Sequence, residues 1–204
     1  MNRIFVLLIL WVAAVPAYAE TPTILVFGDS ISAGYGLPHV ERGWVALLQT
    51  KLKSEGYGAE VVNASVSGET TAGGLARLPR ALDVHHPAVV VLELGGNDGL
   101  RALPIEQMRA NLSRMIDLAR GAGAKLVLLG MRIPPNYGPQ YTQQFSVVYA
   151  DLARDKRVPL VPFLLVDVAL HPELMQADGV HPVEAAQPML LATVWPMLEP
   201  LLKR

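Results

Sequence analysis

The chain has 204 residues, which at roughly 100–200 residues per domain points to one globular unit. Hydrophobic residues make up 51% and charged residues 17%, a balance that excludes a disordered tail or a coiled coil. The net charge is -1, from 17 basic and 18 acidic residues without a Lys/Arg stripe, so the electrostatic footprint of a nucleic-acid binder is missing; the lack of any cysteine removes disulfides, thiol nucleophiles and thiolate metal sites together.

Residues 1–19 read as a cleavable signal peptide. Arg3 gives a positive start, residues 4–15 form an uninterrupted apolar run, and Ala17-Tyr18-Ala19 is a small-x-small cleavage site before Glu20. The run has twelve residues, whereas a spanning helix needs about 20, so no stable membrane anchor is expected. With no cysteine after the run, lipid attachment is excluded as well. Residues 20–204 are then expected to be a single exported domain, periplasmic or secreted.

Beyond the leader, short apolar runs alternate with helical stretches. Residues 24–27 predict a first strand, followed by a helix over 44–55 with apolar residues at 44, 47, 48 and 52. A second strand is expected over 61–64, a helix over 71–84 and a third strand over 88–94. Residues 105–120 place apolar side chains at 105, 108, 112, 115, 116 and 119, a helical period, and Gly121 and Gly123 stop it. A fourth strand follows over 125–131, a helix over 141–157 and a short fifth strand over 159–163. The closing helix, 183–202, is expected to break or kink at Pro188 and Pro196. The strands are apolar on both faces, as in a buried parallel sheet. This order implies helices on both faces and right-handed crossovers. In such sheets chemistry sits outside the carboxyl ends of the strands.

Four clusters stand there: Gly28-Asp29-Ser30, residues 63–69, residues 95–99, and Asp178-Gly179-Val180-His181-Pro182. A hydrolytic site needs a nucleophile, a base, an orienting group and oxyanion donors. Histidine is the scarcest of these types. His85 and His86 precede the third strand, at the amino end of the sheet, and read as turn residues. His39 and His171 lie in loops without a carboxylate at a useful offset. His181 has Asp178 three residues earlier, close enough to hold Nδ1–H and leave Nε2 as a base; the plainer reading makes Asp178 a helix cap. Ser30, between Gly28 and Gly34, is the candidate nucleophile, or else the N-cap of a short helix. Gly68 offers a backbone N–H in a tight turn. Asn97 offers a side-chain amide, or else an Asx-turn with Asp98 and Gly99.

Rival motifs are absent. There is no G-x-S-x-G elbow, no H-E-x-x-H and no Walker A sequence, and Gly34-Tyr35-Gly36 does not complete a dinucleotide fingerprint.

Gly28-Asp29-Ser30, Gly68, Gly95-Gly96-Asn97-Asp98 and Asp178-x-x-His181 resemble, in order and spacing, the four blocks of the SGNH (GDSL) hydrolases. The resemblance covers essentially the whole exported domain. It implies a flavodoxin-like, three-layer α/β/α fold with a five-stranded parallel sheet of order 2-1-3-4-5. It also implies a Ser30-Asp178-His181 triad, and an oxyanion hole from the Ser30 N–H, the Gly68 N–H and the Asn97 amide. No metal or cofactor is implied, and the chain is expected to act as a monomer. Expected substrates are acyl and aryl esters, lysophospholipids and acyl thioesters. The apolar loops around the site, including Leu37, Pro38, Leu100, Ile133, Pro134, Tyr137, Leu170 and Met175, are candidates for lining an acyl groove. A carbohydrate acetylesterase or O-acetyltransferase of the cell envelope would use the same triad in a polar, sugar-stacking cleft. A non-catalytic binding module would tolerate loss of Ser30, His181 or Asn97, and all three are intact.

Glu93 and Arg132 remain outside this assignment. An unpaired carboxylate in the apolar third strand is costly. Either Glu93 pairs with Arg132 across neighbouring strand ends, or the N–H groups of the Gly95-Gly96 turn cap it.

Overall fold

The computed structural model describes residues 21–203; the expected leader lies outside them. Five strands, β1 (Thr23–Gly28), β2 (Glu60–Asn63), β3 (Val89–Glu93), β4 (Lys125–Leu129) and β5 (Leu160–Val161), form one sheet of order β2-β1-β3-β4-β5. Every neighbouring pair is parallel. The sheet order and the three-layer architecture are those the resemblance implied.

The central strands carry the burial. All of β3 is buried, as is β1 after Thr23, since helices cover both faces and leave no polar side. The second strand departs from expectation: β2 lies at an edge, with Glu60 and Asn63 exposed and its two valines only half covered. The fifth strand is shorter than the apolar run, because only Leu160 and Val161 pair with β4.

The longer helices are α2 (Trp44–Ser54), α3 (Thr71–His85), α5 (Ile105–Gly121), α6 (Pro139–Lys156) and α7 (Gln187–Leu202), with single-turn helices α1 (Ser30–Ala33) and α4 (Gly96–Leu100) at strand ends. On one side α2 packs beside α7, and on the other α3, α5 and α6 lie in a row. α5 shows why the spacing works: Met108, Leu112, Met115, Ile116 and Ala119 are all buried, a stripe at three- and four-residue intervals. α7 does not break as expected. Pro188 falls in its first turn, where the missing N–H has no intrahelical partner to lose, and the helix continues through Pro196 and Pro200 because Leu190, Leu191, Val194 and Leu198 are buried along it. Among the described residues, no helix is long and apolar enough to cross a membrane.

Glycine holds the β4–β5 edge together. A methyl group at Gly130 would run into the backbone carbonyl of Pro162, while the Gly130 N–H donates to Val161 O at 2.7 Å and its carbonyl accepts from Leu164 N at 2.9 Å. Backbone cannot rotate away as a side chain can, so Gly130→Ala should destabilise the protein by about 1–3 kcal/mol, the usual overpacking cost. Gly121→Ala, at a helix position with open space around it, should instead stabilise by up to about 1 kcal/mol. Urea midpoints for the two variants, with unchanged slopes, check both signs.

Candidate active site

The site begins where β1 ends. Asp29 caps α1, its Oδ1 accepting from the Ile31 N–H at 3.1 Å, so Asp29 and not Ser30 is the N-cap. Ser30 becomes the first helical residue, almost buried, with its hydroxyl turned to His181. Gly28 has to be glycine, because a Cβ there would lie 2.5 Å from Glu93 Oε2.

His181 arrives from the far end of the chain. Its Nε2 is 2.8 Å from Ser30 Oγ, and its Nδ1 is 2.7 Å from Asp178 Oδ2. A carboxylate only accepts, so Nδ1 carries the hydrogen and Nε2 is left to accept from the serine hydroxyl. Asp178 Oδ1 also accepts from Val180 N at 2.9 Å and His181 N at 3.0 Å. The aspartate thus folds its own turn, which Gly179 closes at φ 66°, and does not cap a helix. Burial works against the charge of Asp178, but hydrogen bonds from His181 and the backbone outweigh it and hold its carboxyl down to about 2. Gln176 ties this turn to the serine side, donating from Nε2 to Tyr35 O at 2.8 Å and Pro182 O at 3.1 Å. The Tyr35 ring lies against the imidazole, centroids 4.6 Å apart, a contact that nothing in its sequence position signalled.

The candidate donors line the same cavity. Gly68 takes φ 78°, and its carbonyl accepts from Arg101 at 3.0 Å. Among the described residues, neither the Gly68 N–H nor the Ser30 N–H has an acceptor. Asn97 is in α4, not in an Asx-turn; its Nδ2 donates to Asp29 Oδ2 at 3.2 Å, which occupies one amide hydrogen and leaves the other. Asp98 points away, accepting from the Thr71 N–H at 2.8 Å and the Thr71 hydroxyl at 2.6 Å. Asn111 completes that network through Thr71 Oγ1, so block three is bolted to α3 and α5.

The cavity has a volume of about 740 Å³, within the range of small-ligand sites. Leu100, Ile133 and Pro134 line it as expected, as do Leu170 and Met175. Tyr137 does not: its hydroxyl donates to Leu100 O at 2.7 Å, so it braces a lining residue from behind. Leu37 and Pro38 do not line it either. Met131, Phe163 and Val166 do, and sequence reading missed them because they follow strands whose loop courses the periodicity leaves open. His85 and His86 end α3 at the amino side of the sheet. His39 and His171 do have nearby carboxylates, Glu41 at 3.5 Å and Glu173 at 3.3 Å, but both pairs are exposed.

Both expectations for Glu93 fail. Its Oε2 accepts from the Asp29 N–H at 3.2 Å and from Ser32 Oγ at 2.7 Å. The register pairs Glu93 with Gly28, so the side chain turns toward β1 into the space that glycine leaves. Arg132 lies past the Gly130 bend, its guanidinium 5.2 Å from the centre of the Phe163 ring. Burial pushes the Asp29 carboxyl up to about 6, and burial followed by the charge of Asp29 pushes Glu93 well above the usual carboxylate range.

The depressed Asp178 carboxyl has a testable sign. The folded chain keeps this charge down to about 2 whereas its ordinary value is 3.8, so its contribution to stability is present above the ordinary value and is lost as pH falls toward 2. Asp178→Asn should therefore be less stable than wild type near neutrality. The gap should close on acidification through that window in urea titrations.

Comparison with known proteins identifies the family. The sequence model of the GDSL-like lipase/acylhydrolase family matches residues 26–187. The chain is 56% identical over 184 residues to esterase TesA of Pseudomonas aeruginosa, covering 90% of this chain and 91% of that protein. It is 43% identical over 183 residues to thioesterase 1/protease 1/lysophospholipase L1 of Escherichia coli K12, covering 90% and 86%. Among solved structures it resembles the psychrotrophic esterase EstA from Pseudoalteromonas sp., inhibited by monoethylphosphonate, with a TM-score of 0.84 at 40% identity, covering 89% and 99%. The chain belongs to the GDSL-like lipase/acylhydrolase, or SGNH hydrolase, family and is a carboxylic ester hydrolase.

Proposed function

We propose that Ser30 is the nucleophile, His181 the general base and acid, and Asp178 the residue that fixes the imidazole tautomer. The observation that carries this is the continuous relay of 2.7 Å and 2.8 Å contacts from Asp178 through His181 to Ser30 Oγ, at the wall of an apolar cavity. Ser30 Oγ attacks an ester or thioester carbonyl while His181 Nε2 takes its proton. The negative oxygen that forms is met by the N–H groups of Ser30 and Gly68 and by the Asn97 amide. Collapse expels the alcohol or thiol, protonated by His181. Water then attacks the acyl-enzyme by the same route in reverse and frees the acid and the serine.

For substrates we propose esters and thioesters with an extended acyl chain, lysophospholipids among them, lying along Ile133, Pro134, Leu100 and Phe163. The walls favour this over a carbohydrate acetylesterase, since Leu165, Val166, Ala169 and Leu170 continue the apolar lining where a sugar would need hydrogen-bonding groups. The leader-like residues 1–19 support export to the periplasm or the exterior, with the domain of residues 20–204 working there as a monomer without nucleic-acid or membrane partners.

Ser30→Ala should lower kcat by about 10⁶, as removal of a triad serine does elsewhere, and a fluorophosphonate should label Ser30 alone; labelling at Ser32, Ser65 or Ser67 would overturn the assignment. Asn97→Ala should lower kcat by about 10²–10³ with KM nearly unchanged, the loss of one oxyanion donor. Across p-nitrophenyl acetate, octanoate and palmitate and lysophosphatidylcholine, kcat/KM should rise from acetate to octanoate, since each buried methylene gains up to about 0.8 kcal/mol. A preference for acetate, or for acetylated sugars, would remove the acyl-chain reading.

A further inference from the structure

Behind the Ser30–His181 pair lie two carboxyl groups that the hydrolytic steps do not use. Glu93 is completely inaccessible and Asp29 nearly so. The Glu93 carboxyl lies against Asp29, with Oε2 3.2 Å from the Asp29 backbone nitrogen, and two carboxylates buried side by side cannot both stay ionised without water or a cation. Among the described residues no Lys or Arg neutralises Glu93. Arg132 is turned to Phe163, and the groups that face the pair are Ser32 from α1, Asn97 from α4, Tyr149 from α6 and His181 across the site. Tyr149 gives its hydroxyl hydrogen to Leu94 O at 3.0 Å and so contributes none to the pair.

The two oxygens of Glu93 are not alike. Oε2 accepts twice, from the Asp29 N–H and from the Ser32 hydroxyl. Oε1 is buried and receives no donor at all. That is the pattern of a neutral carboxylic acid, with a carbonyl oxygen that accepts and a hydroxyl that must donate. A carboxylate would leave Oε1 desolvated and unsatisfied. Asp29 shows the complementary pattern: Oδ1 accepts from the Ile31 N–H and Oδ2 from Asn97 Nδ2, which are the partners of an ionised group.

We propose that Glu93 is a positioning residue for the hydrolytic site: it keeps its proton at neutral pH, gives it in a hydrogen bond to the Asp29 carboxylate, and so leaves the pair one negative charge, on Asp29, with which the Asn97 amide is held toward the cavity. This rests on the reading of Asn97 as an oxyanion donor. The same bond fixes the Asp29 cap of α1, and with it the direction of the Ser30 N–H. Glu93 touches neither substrate nor reacting atoms, and its effect passes through Asp29. Burial pushes both carboxyl groups upward, as expected of a pair that keeps a proton at neutral pH.

Two readouts test it on the full chain. The first is urea unfolding between about pH 5 and 8 for wild type and Glu93→Gln. A glutamate that keeps its proton when folded and releases it when unfolded makes stability fall as pH rises. Wild type should therefore show a steeper decline than Glu93→Gln, by a slope of about one proton; equal slopes would overturn the proposal. The second is steady-state kinetics. Glu93→Leu cannot donate to Asp29 and should lower kcat toward the level of Asn97→Ala, about 10²–10³, with KM nearly unchanged. Glu93→Gln, whose amide donates where the acid did and whose carbonyl accepts from Ser32 and the Asp29 N–H, should recover most of that loss. A Gln variant as impaired as Leu would mean that the ionised form is required, and would overturn the proposal. If Glu93→Leu does not fold, the unfolding slopes and the Gln kinetics still decide. If Asn97→Ala itself leaves kcat intact, the oxyanion reading fails, whereas the slope comparison still reports on the proton alone.

Discussion

The buried carboxylate of Asp29 is the constraint around which the site is arranged. It sits at the junction of β1 and α1, and its two oxygens serve different neighbours: Oδ1 terminates the orphan N–H of Ile31, and Oδ2 takes a hydrogen from Asn97. One group thus fixes both the turn that presents Ser30 and the side chain that faces it across the cavity. Burying such a charge is costly, and the surroundings explain how it persists. The Ile31 amide and the Asn97 side chain donate to it, and the charge of His181 favours it from farther off. Gly28 and Gly96 let the neighbouring strands approach closely enough for these contacts; a Cβ on Gly96 would stand 3.2 Å from Asp29 Oδ2.

Around that centre, three elements distant in sequence are locked by separate devices. Block three is held by the Asp98–Thr71–Asn111 network and by Tyr149, whose hydroxyl fills the space above Gly95 and bonds the Leu94 carbonyl. The Gly68 turn is stitched down by Arg101 on one side and by Arg77, which bridges Glu69 and the Ala64 carbonyl, on the other. The Asp178–His181 turn is largely self-contained and is joined to the serine side through Gln176. The site is therefore anchored by polar contacts, buried ones under block three and more exposed ones at the other two turns, and not by apolar packing alone, which tolerates small shifts more readily.

Much of this was legible in the sequence, for physical reasons that also mark where legibility ended. Short β-branched runs such as residues 89–93 favour buried strands, and a strand-helix alternation leaves the parallel sheet as the economical arrangement, so the strand ends could be searched as one edge. The spacing of Asp178 and His181 sufficed because the pair closes its own turn. Glu93 was misread because its partners are set by register: pairing with Gly28 opens a space toward Asp29 and Ser32 that no spacing within the third strand reveals. β2 was expected to be buried because Val61 and Val62 look the same at an edge as at the centre, and edge position is a property of topology. Tyr137 was placed in the cavity by its neighbours in sequence, whereas a short 3₁₀ turn at Pro135–Tyr137 sends its hydroxyl back to Leu100.

The residues proposed for the chemistry and those proposed for the substrate come from different kinds of structure. Ser30 and Asn97 sit on single helical turns that follow β1 and β3 after one or two intervening residues, at the ends of the buried central strands. The apolar walls come mostly from the segments after β4 and β5, where Pro134, Pro135, Val166 and Leu170 are exposed enough to change without disturbing a core contact. Val166 and Leu170 are 52% and 88% exposed, so substitutions there carry little folding cost. Chain-length or head-group preference can then drift along these two loops while the acid pair, the glycines and the histidine turn stay fixed. A fold built this way lets one hydrolytic centre serve differently shaped esters.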